Sequence, residues 1–225
     1  MKRVATFNYR GVGRSRGRFL RSAELVDDTL DVIKYMESKY QVSPSELLLH
    51  GWSLGGAVGL KVKEIFPQVR VIHDRSFASL DDVALWMFGS RLPAAIIGLI
   101  VAGLLYFLGG INRNLFLPAS MFFSCIVSTI IPLVLWALKY NIDVDLQVLS
   151  QESPLLIVYH ENDGIINYDS ASLHRLVNSS HQNVHSFQLQ TYFQNHAANH
   201  MYLLNRNASE WNAYLKIVRS MLKNN

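Results

Sequence analysis

A chain of 225 residues, half of them apolar, is the size of one ordinary domain and carries enough apolar material for a real core. The formal net charge of +4 is mild, but seven of the 21 Lys and Arg stand in the first 21 positions, at Lys2, Arg3, Arg10, Arg14, Arg16, Arg18 and Arg21. No zinc spacing, basic heptad or RNP-like aromatic run accompanies them, so no nucleic acid is expected as a partner; a solvated loop or anionic lipid headgroups suit the patch better. Cys125, the single cysteine, lies in an apolar run, so the chain makes no internal disulfide and demands no oxidising compartment. MKRVATFNYRG passes from charge straight into a strand-like run without a secretory pattern, and the globular part of the chain is expected on the cytoplasmic side.

In chain order, residues 4–9 (VATFNY) read as a buried strand and GVGRSRGR after them as a glycine-broken loop. Ser22 can cap a helix in which Leu25, Val26, Leu30, Ile33 and Met36 recur at helical spacing to about Tyr40. SPSE is a turn, LLLH (47–50) a short strand, GGAVGLKVKEIF (55–66) a helix that stops at Pro67, and VRVIH (69–73) a third strand. Strand and helix in alternation predict a parallel sheet with right-handed crossovers. Further on, PLLIVY (154–159) and VHSFQLQ (184–190) read as strands, Tyr168 to Val177 as a helix, and the segment from Ser209 as an amphipathic helix with Trp211, Tyr214, Leu215, Val218 and Leu222 on one face.

Between these parts the character of the chain changes. Residues 92–112 and 114–138 carry no charge, and each run is long enough for a bilayer crossing of about 20 residues. Two spans at 91–139 would bring the chain back to the side it left, so membrane association through 92–138 is expected; the competing reading is an apolar helical hairpin that forms a lid. The resulting domain plan is a core of residues 1–90 and 140–225 with the hairpin inserted at 91–139.

Gly51-Trp52-Ser53-Leu54-Gly55 fits G-x-S-x-G between a strand and a helix. Small flanking residues permit the tight turn that pushes a serine hydroxyl into the open, and the helix start beneath it favours negative charge, with the Leu54 amide as one oxyanion donor. A serine nucleophile needs a base, and the base needs a carboxylate to fix its tautomer. Asp163, in YHENDG just past PLLIVY, is the first candidate acid, with Glu161 and Asp74 behind it. His200 and His196, both in QNHAANHM, are the candidate bases: His200 is favoured because Met201 to Leu204 can anchor its loop, while His196 lies nearer the strand. Their i, i+4 spacing also suits a metal, but Ala197 stands where H-E-x-x-H has its glutamate, so neither metal nor cofactor is expected.

NYRGVGRSRG, HGWSLGGAVG and YHENDGIIN, in that order, resemble the loop after the fourth strand, the nucleophile elbow and the acid loop of the α/β-hydrolase superfamily. HDRSFASLDDVA is further similar to a bacterial SidB-like and CHLPS-like branch. The resemblance covers residues 3 to about 90 and 150 to 222. It implies an α/β fold, a mostly parallel sheet flanked by helices, with Ser53 as nucleophile, Asp163 as acid and His200 or His196 as base. Residues 4–9 would then match the fourth strand, leaving the first strands and the loop that supplies the second oxyanion amide without a counterpart. The expectation is a sheet truncated at its N-terminal side, completed by a preceding segment or a second chain. The expected activity is hydrolysis of an ester or thioester of a lipid or acyl substrate; the alternative is a catalytically impaired, membrane-anchored remnant acting as an interaction module.

Overall fold

Four parallel strands in the order β1-β2-β3-β4 carry the fold: β1 Leu48–Trp52, β2 Arg70–Asp74, β3 Leu155–Tyr159 and β4 Val184–Gln188. The computed structural model describes residues 4–18, 20–89, 91–108, 113–137, 142–203 and 207–223. Seven helices accompany the strands in the described residues: α1 Ala23–Tyr40, α2 Leu54–Ile65, α3 Leu80–Ala84, α4 Arg91–Phe107, α5 Phe116–Ala137, α6 His196–Met201 and α7 Ala208–Met221.

Side chains of a strand alternate between faces, and here both faces are covered, which is why β2 and β3 read as continuous apolar runs. Val71, Leu155 and Ile157 pack with Leu60 of α2 on one face, while Ile72, Leu156 and Val158 pack with Tyr214 and Met221 of α7 on the other. α1 rides on α2, with Leu25 against Ala57 and Val58. α2 stops at Pro67 because proline cannot donate to the helix. Near its end Lys63, with no exposed surface, donates to the carbonyls of Val69 and Ser153, both at 3.0 Å. Burial lowers its pKa to about 8.

Two sequence expectations need correcting. Residues 4–9 do not form a strand: Val4 is 92% exposed, and the segment is held beside α1, where the Arg10 backbone N–H and Nε donate to the two Asp28 carboxylate oxygens, each at 2.7 Å. Strand-like composition does not make a strand without a ladder partner. Tyr168 to Val177 is not one helix either, but a set of turns with a 3-10 segment at Leu173–Leu176. Polar side chains compete with the helical backbone here, Asn167 Oδ1 accepting from Ser170 N and Ser172 Oγ from His174 N.

The apolar excursion leaves after β2 through α3 and a π-helical turn at Leu85–Gly89, and α4 and α5 pack chiefly on one another. Its two ends meet: Leu80 N donates to Ile142 O at 3.1 Å and Val144 N to Ala78 O at 3.0 Å. Among the described residues no helix is long and apolar enough to cross a membrane, so the expected pair of spans is not found there. α4 has 17 residues, rising about 25 Å at 1.5 Å per residue against a hydrocarbon thickness of about 30 Å. Residues 109–112 and 138–141, at the ends of the two apolar runs, lie outside the described residues.

Candidate active site

The C-terminal ends of β1, β2 and β3 converge on one edge, and the candidate residues sit there. β1 ends at Trp52 and α2 begins at Leu54, so Ser53 alone makes the turn, at φ 52° and ψ −124°. This left-handed φ is disfavoured for a residue with a Cβ and persists where the surroundings impose it. Here Ser53 N donates to Asp74 O of β2 and Ser53 O accepts from Gly56 N, each at 2.9 Å. Close approach also demands glycine: a Cβ on Gly51 would lie 2.0 Å from Gly55 O, and one on Gly56 2.6 Å from Ser76 Cβ. Gly55, the last residue of the motif, meets nothing within 4 Å, so the second sterically required glycine is Gly56. The Leu54 amide is the first N–H of α2, a position that has no intrahelical acceptor, and no acidic side chain occupies the first turn.

Asp163 is buried in the loop after β3. Its Oδ1 accepts from Ile165 N and Ile166 N, both at 2.8 Å, and its Oδ2 lies 2.7 Å from His200 Nδ1, which donates to it. The same carboxylate therefore shapes the turn with one oxygen and holds an imidazole with the other. His200, 2% exposed, stands in the last turn of α6 with its ring centroid 5.3 Å from that of Trp52, the residue before Ser53. With Nδ1 committed to the carboxylate, Nε2 is left as the acceptor nitrogen of the neutral ring.

The other candidates go elsewhere. His196, at the start of α6, is exposed with Nδ1 3.3 Å from Asn162 O. Glu161 is exposed, and Asp74 pairs with Arg75 and with His50, whose Nε2 is 3.3 Å away. Burial would raise the Asp74 pKa, but hydrogen bonds from His50 and Arg75, with the guanidinium charge, outweigh it and hold the carboxyl below its ordinary value. No group of three or more His, Cys, Asp or Glu placed to hold a metal occurs among the described residues.

No protein-family model matches the chain. The uncharacterized protein YfhR of Escherichia coli K12 is 39% identical over 84 residues, and that match takes in 36% of this chain and 29% of YfhR. Among solved structures, an esterase from Pyrococcus furiosus superposes with a TM-score of 0.54 at 16% identity, covering 96% of this chain and 67% of the esterase. A lipase-esterase related protein from Clostridium acetobutylicum gives 0.52 at 17%, covering 93% and 79%. An alpha-beta hydrolase from Vibrio vulnificus gives 0.51 at 19%, covering 96% of this chain and 62% of that one. The fold is of the α/β-hydrolase type.

Within this hydrolase-type fold, three residues that the sequence did not single out support the candidate site. Asn199, fully buried in α6, donates to Asn162 O at 2.8 Å and Phe193 O at 3.2 Å and accepts from Phe193 N at 2.8 Å, tying α6 to the acid loop. Gly164 lets that loop touch α6, since a Cβ there would fall 2.6 Å from the His196 carbonyl carbon. Arg75 donates to His200 O at 2.9 Å and Tyr202 O at 2.5 Å. Only Gly164 left a signal, as the glycine of a D-G turn; the other two act through contacts distant in sequence.

Proposed function

We propose that the chain is a serine hydrolase that cleaves a carboxylic ester or thioester through an acyl-enzyme intermediate. Ser53 attacks the carbonyl, His200 takes the hydroxyl proton on Nε2 and returns it to the leaving group, and Asp163 fixes the imidazole through Nδ1. The Leu54 amide donates to the oxyanion. The observation that carries this reading is the buried 2.7 Å contact of His200 Nδ1 with Asp163 Oδ2, made beside Trp52 and hence next to the strained serine. No cofactor enters this chemistry.

An acyl or lipid-like ester is the substrate class the surface favours. α4 and α5 leave Ile100, Leu104, Phe107, Leu117, Met121 and Phe122 more than 60% exposed, and the excursion that carries them starts from the same sheet edge as the elbow. We take residues 1–90 and 140–225 as the hydrolase core and the helical pair within 91–139 as an apolar cover for the acyl chain or a contact with a lipid surface.

A fluorophosphonate probe tests the assignment. The native chain is expected to label covalently, and Ser53→Ala to abolish the adduct. Labelling that survives Ser53→Ala removes Ser53 from the role, whereas a folded chain that never labels supports a non-catalytic interaction module instead.

A further inference from the structure

We propose that Arg75 is a positioning residue for the general base, holding the main chain that carries the His200 ring. The proposal rests on the reading of His200 as that base. Arg75 directly follows β2, is 6% exposed, and has φ 42°, a left-handed value that its side chain disfavours. Its backbone stays on the sheet, Arg75 N donating to Val158 O at 2.7 Å. The side chain is clamped from behind by its own neighbour, with Nε 2.7 Å from Asp74 Oδ1 and Nη2 3.1 Å from Asp74 Oδ2. So fixed, it points Nη1 at two carbonyls of the base segment, those of His200 and Tyr202.

The His200 carbonyl has a second donor, Trp52 Nε1 at 3.3 Å, so β1 and the residue after β2 grip the same atom. His200 is thereby oriented twice, at its ring by Asp163 and at its backbone by Arg75 and Trp52. Asp74, a candidate acid from its place after a strand, is instead the counter-ion that aims the guanidinium, with His50 on its outer side. Charge alone would be met by lysine. The planar fork, which reaches two carboxylate oxygens and two carbonyls at fixed angles, would not.

The kinetics of fluorophosphonate labelling test this in the purified chain and in Arg75→Lys, Arg75→Met and Asp74→Asn, each checked for cooperative unfolding, with Ser53→Ala and His200→Ala as references. Loss of alignment at a reacting group costs on the order of 10²-fold in rate. The maximal labelling rate of Arg75→Met is expected to fall by about that factor with the half-saturating probe concentration unchanged, and lysine is expected not to restore it. Asp74→Asn keeps the volume of the clamp and serves where Arg75→Met does not fold; it is expected to lose about 10-fold. A folded Arg75→Lys or Asp74→Asn that labels at the wild-type maximal rate overturns the proposal, as does a loss that only tracks the folded fraction. If labelling persists in Ser53→Ala or His200→Ala, the triad reading itself has failed and Arg75 falls with it. If labelling is lost in those two and unaffected in the others, Arg75 alone is overturned.

Discussion

At Gly51 to Gly56 the steric demands differ sharply over a few residues. The backbone oxygen of Gly55 sits where a Gly51 Cβ would be, and Ser76 sits where a Gly56 Cβ would be, yet nothing faces a Cβ on Gly55. Gly55→Ala is therefore expected to fold and label like the native chain and to gain about 0.5–1 kcal/mol from the better helix former. Gly56→Ala is expected to lose about 1–3 kcal/mol, because packed backbone and Ser76 must give way. Urea unfolding of the two variants side by side checks the contrast, and equal losses would show that the turn itself, rather than these contacts, needs glycine.

Among the elements, α6 is the one that secondary-structure propensity explains least. Six residues are too few to be stable alone, and its place depends on Asn195 capping Ala197 N and on the three bonds of Asn199. Removing a buried amide strands its partners at about 1–3 kcal/mol, so Asn199→Ala is expected to lower the unfolding free energy by that much. It is also expected to reduce the maximal labelling rate, whereas an exposed His196→Ala should do neither; calorimetry with labelling separates the two. The strands β1 to β4, the helices α1, α2 and α7, and the elbow were all legible, because apolar runs, periodicity and glycines are local signals. Which histidine meets Asp163 was less so. Both are on one short helix, and what separates them is its docking, with position 196 at the outer end and position 200 against Trp52. The segment at 4–9 misled for the opposite reason, since a strand needs a partner and composition cannot supply one. Arg75 was invisible because its meaning lies 125 residues away.

For the whole molecule, two buried bases govern how stability follows pH. His73, fully buried with Nε2 3.3 Å from Phe77 O, has its pKa lowered to about 4 by burial, partly offset by that carbonyl and by Asp74. The unfolded chain thus binds the proton first as pH falls from about 6.5 to 4, and stability is lost across that window, on the order of 3 kcal/mol in all. His174, lowered by burial, adds in the same direction, while Asp74, held below its ordinary value, gives up its contribution only at more acid pH. Lys63, at about 8, makes stability climb again between about 8 and 10.5. Chemical denaturation across pH is expected to show both rises, with His73→Gln flattening the first and Lys63→Met the second. A flat profile from pH 4 to 6.5 in the native chain would mean that His73 keeps its proton when folded.

The hydrogen bonds Leu80 N to Ile142 O and Val144 N to Ala78 O close the apolar excursion at its neck. What lies beyond that neck is a bud on the sheet rather than a link in it, since Ala78 and Val144 are already joined on the sheet side. On the proposed reading, the turn that strains Ser53 and the apolar helices past the neck are two separate fittings on one sheet, one for the chemistry and one for the guest.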